Sequence, residues 1–336
     1  MKAIMLRETG QLDQAKLETV KRPKPDSNEV IVRVRAAALN RRDLMVISGR
    51  YPGTKLPVIL GSDGAGEVIE VGNQVENTLV GSDVIINPGL NWGTDPNRKS
   101  NEFTILGMPT NGTYAQYIKV PVANVYPKPS HLSWEEAASL PLAGLTAYRA
   151  VVTKGNVKKG ETVLIPGAGG GVATFLIQFA SKLGANVYVT SSKKEKIEKA
   201  KSFGATDGVN YSSDNWVELL KELTGGIDLS IDSIGGDVFN NLLSLGKAGS
   251  RIVNFGATRG PVKNLILPNM SLKEISVIGS TMGSPYDFEN MSKFTEEHQI
   301  HPIIDEVYPL DKFNEAFKKM ETGINSGKIV LTIPQD

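Results

Sequence analysis

The sequence contains 336 residues, which exceeds what one hydrophobic core usually supports and therefore predicts two domains. Lysine and arginine (37 residues) nearly balance aspartate and glutamate (36 residues), so charge gives no indication of a nucleic-acid or anionic-membrane partner. The absence of cysteine excludes disulfides, thiolate nucleophiles and cysteine-ligated zinc or iron–sulfur sites.

The pattern of residues 1–125 is typical of a β-rich domain. Residues 32–36 alternate small apolar side chains with arginine, the period of a strand with one solvated face, and further strands are predicted at 67–71 and 83–87. Residues 88–111 are polar and lack periodicity, which indicates a lid or a separate lobe. Early charges argue against a secretory signal, and no apolar run is long enough to span a membrane, so the expected location is the cytoplasm.

A different pattern begins at Ser133, which together with Glu136 has the spacing of a capping box at a helix start. Strands and helices then alternate, which predicts a doubly wound parallel sheet. The predicted strands are 162–166, 186–190, 227–231, 251–255 and 276–278, and the predicted helices are 172–183, 195–203, 215–223 and 238–245. A further helix, a helix capped by Asp311 and a terminal strand at 328–333 follow, and we expect this tail to pack on the first domain.

A glycine-rich turn joins the predicted strand at 162–166 to the helix after it. The turn and helix start consist of Gly167, Ala168, Gly169, Gly170, Gly171 and Val172. Without bulky side chains the backbone amides can approach a pyrophosphate, which the positive end of the helix also favours. The alternative is a tight structural turn, but the flanking strand and helix favour dinucleotide binding.

The residues after the second predicted strand indicate the choice of dinucleotide. NAD-specific sites carry an acidic residue there to bind the ribose hydroxyls, whereas this chain has Ser191 and Ser192 followed by lysines that include Lys196. Hydroxyls and cations suit a phosphate group, so the sequence predicts NADPH. The alternative is a solvated, lysine-rich helix start.

Several motifs together resemble the medium-chain dehydrogenase/reductase superfamily and, within it, the zinc-free quinone oxidoreductases. They are the glycine turn and residues 37–43, 48–52, 61–66, 145–148, 232–236 and 327–330. The resemblance implies an α/β fold in which a Rossmann domain with a doubly wound parallel sheet, residues 126–284, is inserted in a GroES-like β-rich catalytic domain, residues 1–125 and 285–336. It also implies a homodimer formed through the edge strand of the nucleotide sheet.

The resemblance also assigns cofactor contacts. It implies that Lys196 and Tyr211 hold the adenosine 2′-phosphate and that residues 280–284 border the nicotinamide. The other residues implied to border the nicotinamide ribose and ring are Phe255, Gly256, Ala257 and Thr146. The Thr146 hydroxyl can alternatively bond a carbonyl one helical turn back.

Metal chemistry is not predicted for this chain. In the alcohol dehydrogenases that the chain resembles, the catalytic zinc ligands would be a cysteine at Asn40 and a histidine–glutamate pair at Ser62 and Asp63. Neither is present, and residues 88–111, in the place of a structural-zinc lobe, lack cysteine. His298 and His301 have a spacing that can share a helical face, but Pro302 indicates a helix end rather than a ligand pair.

Two residues are predicted to act in catalysis. Asn40 can donate its amide to the acceptor oxygen or orient the cofactor carboxamide, the alternative being a helix cap. Tyr51 can hydrogen-bond the substrate carbonyl or supply a proton, or it packs without a chemical role. Neutral donors suit an acceptor that delocalises charge, so the sequence predicts an NADPH-dependent reductase of quinones or α,β-unsaturated carbonyl compounds. A zinc-free alcohol dehydrogenase, an enoyl-thioester reductase and a non-catalytic NADPH sensor are the alternatives.

Overall fold

The computed structural model describes residues 1–335, which form two compact units, 1–145 with 283–335 and 146–282. The strands are β1 Lys2–Leu6, β2 Ala15–Thr19, β3 Glu29–Ala38, β4 Val58–Ile59, β5 Asp63–Val71, β6 Asp83–Ile86, β7 Gly89–Leu90, β8 Thr104–Leu106, β9 Pro109–Thr110, β10 Tyr117–Pro121, β11 Val125–Pro127, β12 Thr162–Pro166, β13 Asn186–Ser191, β14 Asp207–Asn210, β15 Ile227–Asp232, β16 Gly246–Asn254, β17 Ser276–Gly279, β18 Ile304–Pro309 and β19 Lys328–Thr332. The helices are α1 Arg41–Ile47, α2 Trp134–Ser139, α3 Pro141–Tyr148, α4 Gly171–Lys182, α5 Lys194–Ser202, α6 Trp216–Thr224, α7 Val238–Leu245, α8 Leu267–Ser271, α9 Pro285–Glu297 and α10 Phe313–Thr322.

The first unit is built on a largely antiparallel sheet. Its strand order is β11-β6-β5-β3-β19-β18, with β10 paired to β3, and a smaller sheet has the order β2-β1-β4. The inward face of β3 places Val30, Val32 and Val34 in the core, while Arg33 on the other face pairs with Glu67 of β5. Residues 32–36 thus lie in a strand, as their alternation predicted, with the valines on the buried face and the arginines on the more exposed face.

The end of the chain returns to the first unit. Strand β19 pairs antiparallel with β3, so that Val330 lies opposite Ala38, and it pairs in parallel with β18. Leu331 and Ile333 join the same hydrophobic core as the strands near the N-terminus. The prediction that the tail packs on the first domain is confirmed.

The second unit is the predicted doubly wound parallel sheet. Its strand order is β14-β13-β12-β15-β16-β17, so successive strands extend from β12 first toward one edge and then toward the other. Strand β12 is buried along its whole length, as expected of a central parallel strand covered on both faces. The order reverses next to β12, which places the turn after β12 at the switch point where such sheets bind ligands.

Two details differ from the expectations. The units divide at residues 145/146 and 282/283 rather than at 125/126 and 284/285, because α2 packs on β3, β5 and β19 of the first unit. Asp311 does not cap α10: it lies in a 3₁₀ turn, and Lys312 is the residue before the helix.

Residues 88–111 form an ordered lobe with the small sheet β7-β8-β9, which is one of the two arrangements expected for this segment. Among residues 1–335, every helix is too short or too polar to cross a membrane.

Candidate cofactor and catalytic sites

The glycine turn of the second unit connects β12 to α4. Gly167 has φ +83°, a conformation that L side chains rarely adopt, and its amide donates to the Thr190 carbonyl at 3.1 Å. A Cβ built on Gly170, the residue before α4, would have no described atom within 4 Å. Open space therefore adjoins the amides at the start of α4, as a pyrophosphate site requires.

Cations and hydroxyls surround this turn. The Nζ of Lys196 lies 2.8 Å from the position that a Cβ on Gly169 would take, so its side chain covers the turn. The Tyr211 amide donates to the Ser191 carbonyl at 3.1 Å, and Asn210 Nδ2 donates to the Ser192 carbonyl at 3.3 Å. The structure therefore brings Ser191, Ser192 and Tyr211 to the adjacent carboxyl ends of β13 and β14, and it places the side chain of Lys196, on α5, over the glycine turn.

The predicted nicotinamide residues occupy the ends of β16 and β17. Asn254 Nδ2 donates to the Gly256 carbonyl at 2.9 Å and to Asp232 Oδ2 at 2.8 Å, which fixes the start of the segment Phe255, Gly256 and Ala257. Beside it, the buried Ser280 Oγ has no hydrogen-bond partner among residues 1–335. An orphaned buried hydroxyl, the open turn and the Lys196 cation are consistent with a bound dinucleotide.

A buried ion pair occupies the centre of the first unit. Lys328 Nζ donates to Asp63 Oδ2 at 2.9 Å, to Asn40 Oδ1 at 2.8 Å and to the Leu39 carbonyl at 2.8 Å. Asn40 Nδ2 donates to the same Asp63 oxygen at 2.9 Å, and the other Asp63 oxygen accepts from the Leu142 amide at 2.7 Å. The three ammonium hydrogens thus all have acceptors.

Strand register explains how these residues meet. Asp63 is the first residue of β5 and lies opposite Ala38 of β3, and Lys328 is the first residue of β19, which pairs with the same end of β3. Asn40 follows β3 and precedes α1. Asn40 is also the N-cap residue of α1, with Asp43 as the capping-box partner that bonds its backbone amide, so it caps the helix as the alternative interpretation had it while its side chain joins the buried cluster.

Asp43 and Tyr114 support Asn40 from the other side. Asp43 Oδ2 accepts from the Asn40 amide at 2.8 Å and from the Tyr114 hydroxyl at 2.5 Å. Burial raises the pKa of the Asp43 carboxyl, and burial together with the neighbouring Asp43 raises the pKa of Tyr114 well above its usual value. Tyr114 thus remains a hydroxyl donor, and Asp43 fixes the backbone amide of Asn40.

Arg42 and Tyr51 lie beside the same cluster. Arg42 donates to Ser62 Oγ at 2.6 Å and to the Leu106 carbonyl at 2.8 Å, and its guanidinium carbon lies 4.6 Å from the centre of the Tyr51 ring. Arg42 is buried and ties the lobe of residues 88–111 to α1. The half-buried Tyr51 packs against the hydrophobic core, and its hydroxyl has no hydrogen-bond partner among the described residues.

The residues at the position of the catalytic zinc in the alcohol dehydrogenases that the chain resembles do not suit zinc. Asn40, Ser62 and Asp63 provide one amide, one hydroxyl and one carboxylate, while structural and catalytic zinc sites rely on cysteine and histidine. The Lys328 ammonium bonds the oxygens of Asn40 and Asp63, and Ser62 Oγ accepts from Arg42. No group of three potential metal-ligating side chains exists within residues 1–335. The motif of residues 327–330 contains Lys328, but nothing in it predicts that this lysine is buried at the centre of the first unit.

Comparisons with known proteins identify the family. Residues 26–130 match the alcohol dehydrogenase GroES-like domain, and residues 171–297 match the zinc-binding dehydrogenase domain. The zinc-type alcohol dehydrogenase-like protein YogA of Leptosphaeria maculans is 37% identical, with 94% of each chain covered. The chain belongs to the medium-chain dehydrogenase/reductase family. It is thus an oxidoreductase of a family that depends on nicotinamide dinucleotides, and the predicted fold class is confirmed.

Other relatives differ in the activity that their names give. An acryloyl-coenzyme A reductase of Sulfurisphaera tokodaii is 33% identical, with 98% of this chain and 99% of the relative covered. The crystal structure of an NAD-dependent alcohol dehydrogenase superposes with a TM-score of 0.95 at 36% identity, covering 99% of this chain and all of that chain. The relatives therefore include an acryloyl-coenzyme A reductase as well as an alcohol dehydrogenase.

Proposed function

We propose that this chain is a metal-free, NADPH-dependent reductase of quinones or α,β-unsaturated carbonyl compounds. The observation that carries the proposal is the Lys328–Asp63–Asn40 cluster. An ammonium whose three hydrogens are already bonded cannot polarise a substrate oxygen as a Lewis-acidic metal does. An acceptor that spreads negative charge over a conjugated system needs less stabilisation than a simple aldehyde, and it therefore fits this site better.

The choice of NADPH over NADH rests on charge at the end of β13. Ser191, Ser192 and Lys196 lie beside Tyr211, and no acidic residue occupies the strand tip where one would bind ribose hydroxyls. A 2′-phosphate carries a charge near −2 and is stabilised by a cation and hydroxyl donors. If NADH were bound instead, its ribose 2′-hydroxyl would have no carboxylate partner among these residues.

In the proposed mechanism the cofactor supplies a hydride, and this chain supplies hydrogen-bond donors to the acceptor oxygen. Hydride addition to the β-carbon of an enone moves an electron pair to the carbonyl oxygen, which must then receive a proton. The unpaired Tyr51 hydroxyl is the proposed donor. The second amide hydrogen of Asn40 makes only a long bond of 3.5 Å to the Ala38 carbonyl and is the proposed second donor, and Lys328, bonded to Asn40 Oδ1, polarises that amide.

A substrate panel tests the proposal. With NADPH, we expect turnover of 1,4-quinones or enones and little turnover of simple aldehydes, and we expect Tyr51→Phe and Asn40→Ala to lower kcat by about 10²-fold or more. Unchanged rates in both variants would remove their assigned roles. Tight NADPH binding with no consumption across the panel would instead indicate the sensor alternative.

An enoyl thioester is the second candidate substrate. The exposed Arg41 and Arg50 line one surface concavity of the first unit together with the single carboxylate Glu321, and two cations against one anion suit the phosphates of a carrier such as coenzyme A. The acryloyl-coenzyme A reductase relative favours the same substrate class. The neighbouring Arg42 is buried and bonded to the lobe, so it does not contribute to this cationic surface. Acryloyl- or crotonyl-coenzyme A in the panel distinguishes this candidate from a free enone.

Metal removal is expected to leave the enzyme unchanged. The donor set around Lys328 offers neither cysteine nor histidine, and the ammonium competes with any cation for the same oxygens. Activity after exhaustive treatment with 1,10-phenanthroline should stay within experimental error, and elemental analysis should find far less than one zinc per chain. Loss of activity that added zinc restores would contradict the prediction.

The proposed homodimer uses the exposed edge of the second unit's sheet. Strand β17 is the last strand in that sheet, and Val277 on it and the preceding Leu272 are 46% and 85% exposed. We expect sedimentation to show a dimer that Leu272→Asp weakens, because burying an unpaired carboxylate is unfavourable. Leu223→Asp, on an exposed site of α6, is the matched control. A monomeric wild-type chain would refute the prediction.

A further inference from the structure

Arg259 lies in a loop that two neighbouring strand ends hold in place. The loop follows β16 and folds back on the turn after β15: the Arg259 amide donates to the Ile234 carbonyl at 2.8 Å, and the Gly236 amide donates to the Gly260 carbonyl at 3.0 Å. The Thr258 hydroxyl adds a bond to the Ser233 carbonyl at 2.6 Å. These bonds fix the backbone of Arg259, while its side chain is exposed.

The side chain reaches across the carboxyl edge of the sheet. The Arg259 guanidinium carbon lies 5.5 Å from the centre of the Tyr211 ring, which follows β14. Three strands, including β12, lie between β14 and β16, so these strands are roughly 19 Å apart at the usual strand spacing. The Arg259 side chain therefore spans the distance from the loop after β16 to Tyr211. Tyr211 is one of the residues predicted to bind the 2′-phosphate.

The charge of Arg259 is not balanced by an acidic side chain. Among residues 1–335 its guanidinium forms the contact with Tyr211 and no ion pair. A 2′-phosphate carries a charge near −2, which the single charge of Lys196 leaves partly uncompensated. Arginine presents planar, paired donors that match phosphate oxygens, and it is therefore suited to such a position.

We propose that Arg259 is a third 2′-phosphate-binding residue, which closes over the adenosine end of the dinucleotide and acts with Lys196 and Tyr211. The proposal rests on NADPH being the cofactor. It explains why a cation from the far side of the sheet lies against Tyr211, and it assigns part of the cofactor preference to the loop after β16. Binding places the 2′-phosphate between the guanidinium and the residues that follow β13.

Calorimetric titration of the full chain with NADP⁺ and NAD⁺ tests the proposal without turnover. For Arg259→Ala, we expect the Kd for NADP⁺ to rise roughly tenfold or more, because a charge-assisted bond is lost, while the Kd for NAD⁺ changes less than about threefold. Arg259→Lys should restore part of the loss because it keeps the charge. Lys263→Ala, an exposed cation four residues further along the chain, is the matched control and should behave as wild type.

The other outcomes separate two failures. An equal loss of NADP⁺ and NAD⁺ affinity in Arg259→Ala would mean that the guanidinium contacts only the adenine, and unchanged affinities would mean that it contacts neither; either result overturns the assignment of Arg259. A wild-type chain without preference for NADP⁺ would instead overturn the proposed use of NADPH. If the wild type prefers NADP⁺ and only Lys196→Ala abolishes the preference, the failure is confined to Arg259.

Discussion

Replacement of Lys328 with methionine is expected to lower the free energy of unfolding by about 3–5 kcal/mol. The ammonium and the Asp63 carboxylate are 3% and 0% exposed, so methionine would leave Asp63 as a buried charge with only neutral donors. The apolar stem retains a comparable volume, so the loss reports the electrostatic change rather than a cavity. Chemical denaturation should detect it as a lower midpoint for the transition of the first unit.

A double variant separates charge from packing. Asp63→Asn in the Lys328→Met background removes the buried carboxylate that has lost its cation. We expect the double variant to recover a substantial part of the lost free energy of unfolding. If the two residues acted independently, the losses of the two single variants would add instead. Lys293→Met is the control, because its ion pair with Glu289 is exposed and contributes less than about 1 kcal/mol. A loss of under 1 kcal/mol in Lys328→Met would show that the buried pair does not stabilise the fold.

The same cluster shows where sequence reasoning reaches its limit. The strand 162–166 and the helix 238–245 were predicted with the observed bounds, because apolar periodicity and flanking glycines are local signals. Lys328 and Asp63 are separated by 265 residues, and only the pairing of β19 and β5 with β3 brings them together. No signal in the neighbouring sequence indicates that Lys328 is buried, and lysine side chains are seldom fully buried in proteins.

Arg42 and Asp311 illustrate two other limits of sequence-based prediction. Arginine is usually exposed, yet Arg42 is buried, and its partners include carbonyls of the lobe, 64 and 66 residues away, whose ordered path the sequence does not predict. Asp311 has a residue type suited to capping, but the chain forms a 3₁₀ turn there before α10 begins at Phe313. The glycine turn, by contrast, was identified from sequence because the strand, the turn and the helix start are contiguous.

Substitution of Gly170 with aspartate is expected to abolish dinucleotide binding while leaving the fold intact. Gly170 has φ −74° and ψ 152°, which any residue adopts, and it precedes α4, where aspartate is a favoured cap. A Cβ there meets no described atom within 4 Å, so the second unit accommodates the side chain. We expect the free energy of unfolding to rise by up to about 1 kcal/mol through capping and the helix dipole.

The added carboxylate occupies the space where the pyrophosphate is expected and repels it. We therefore expect the Kd values for NADPH and NADH to rise together by about 100-fold or more, because like charges in contact cost several kcal/mol. Gly170→Asn has nearly the same shape without the charge, and it should cost roughly tenfold through bulk alone. A loss confined to NADPH would place the 2′-phosphate, rather than the pyrophosphate, at this turn. One carboxylate in one position both caps α4 and repels the pyrophosphate, so a stabilised fold would show that the carboxylate is in place. Tight dinucleotide binding by such a Gly170→Asp variant would then show that the open space before α4 is not the dinucleotide site.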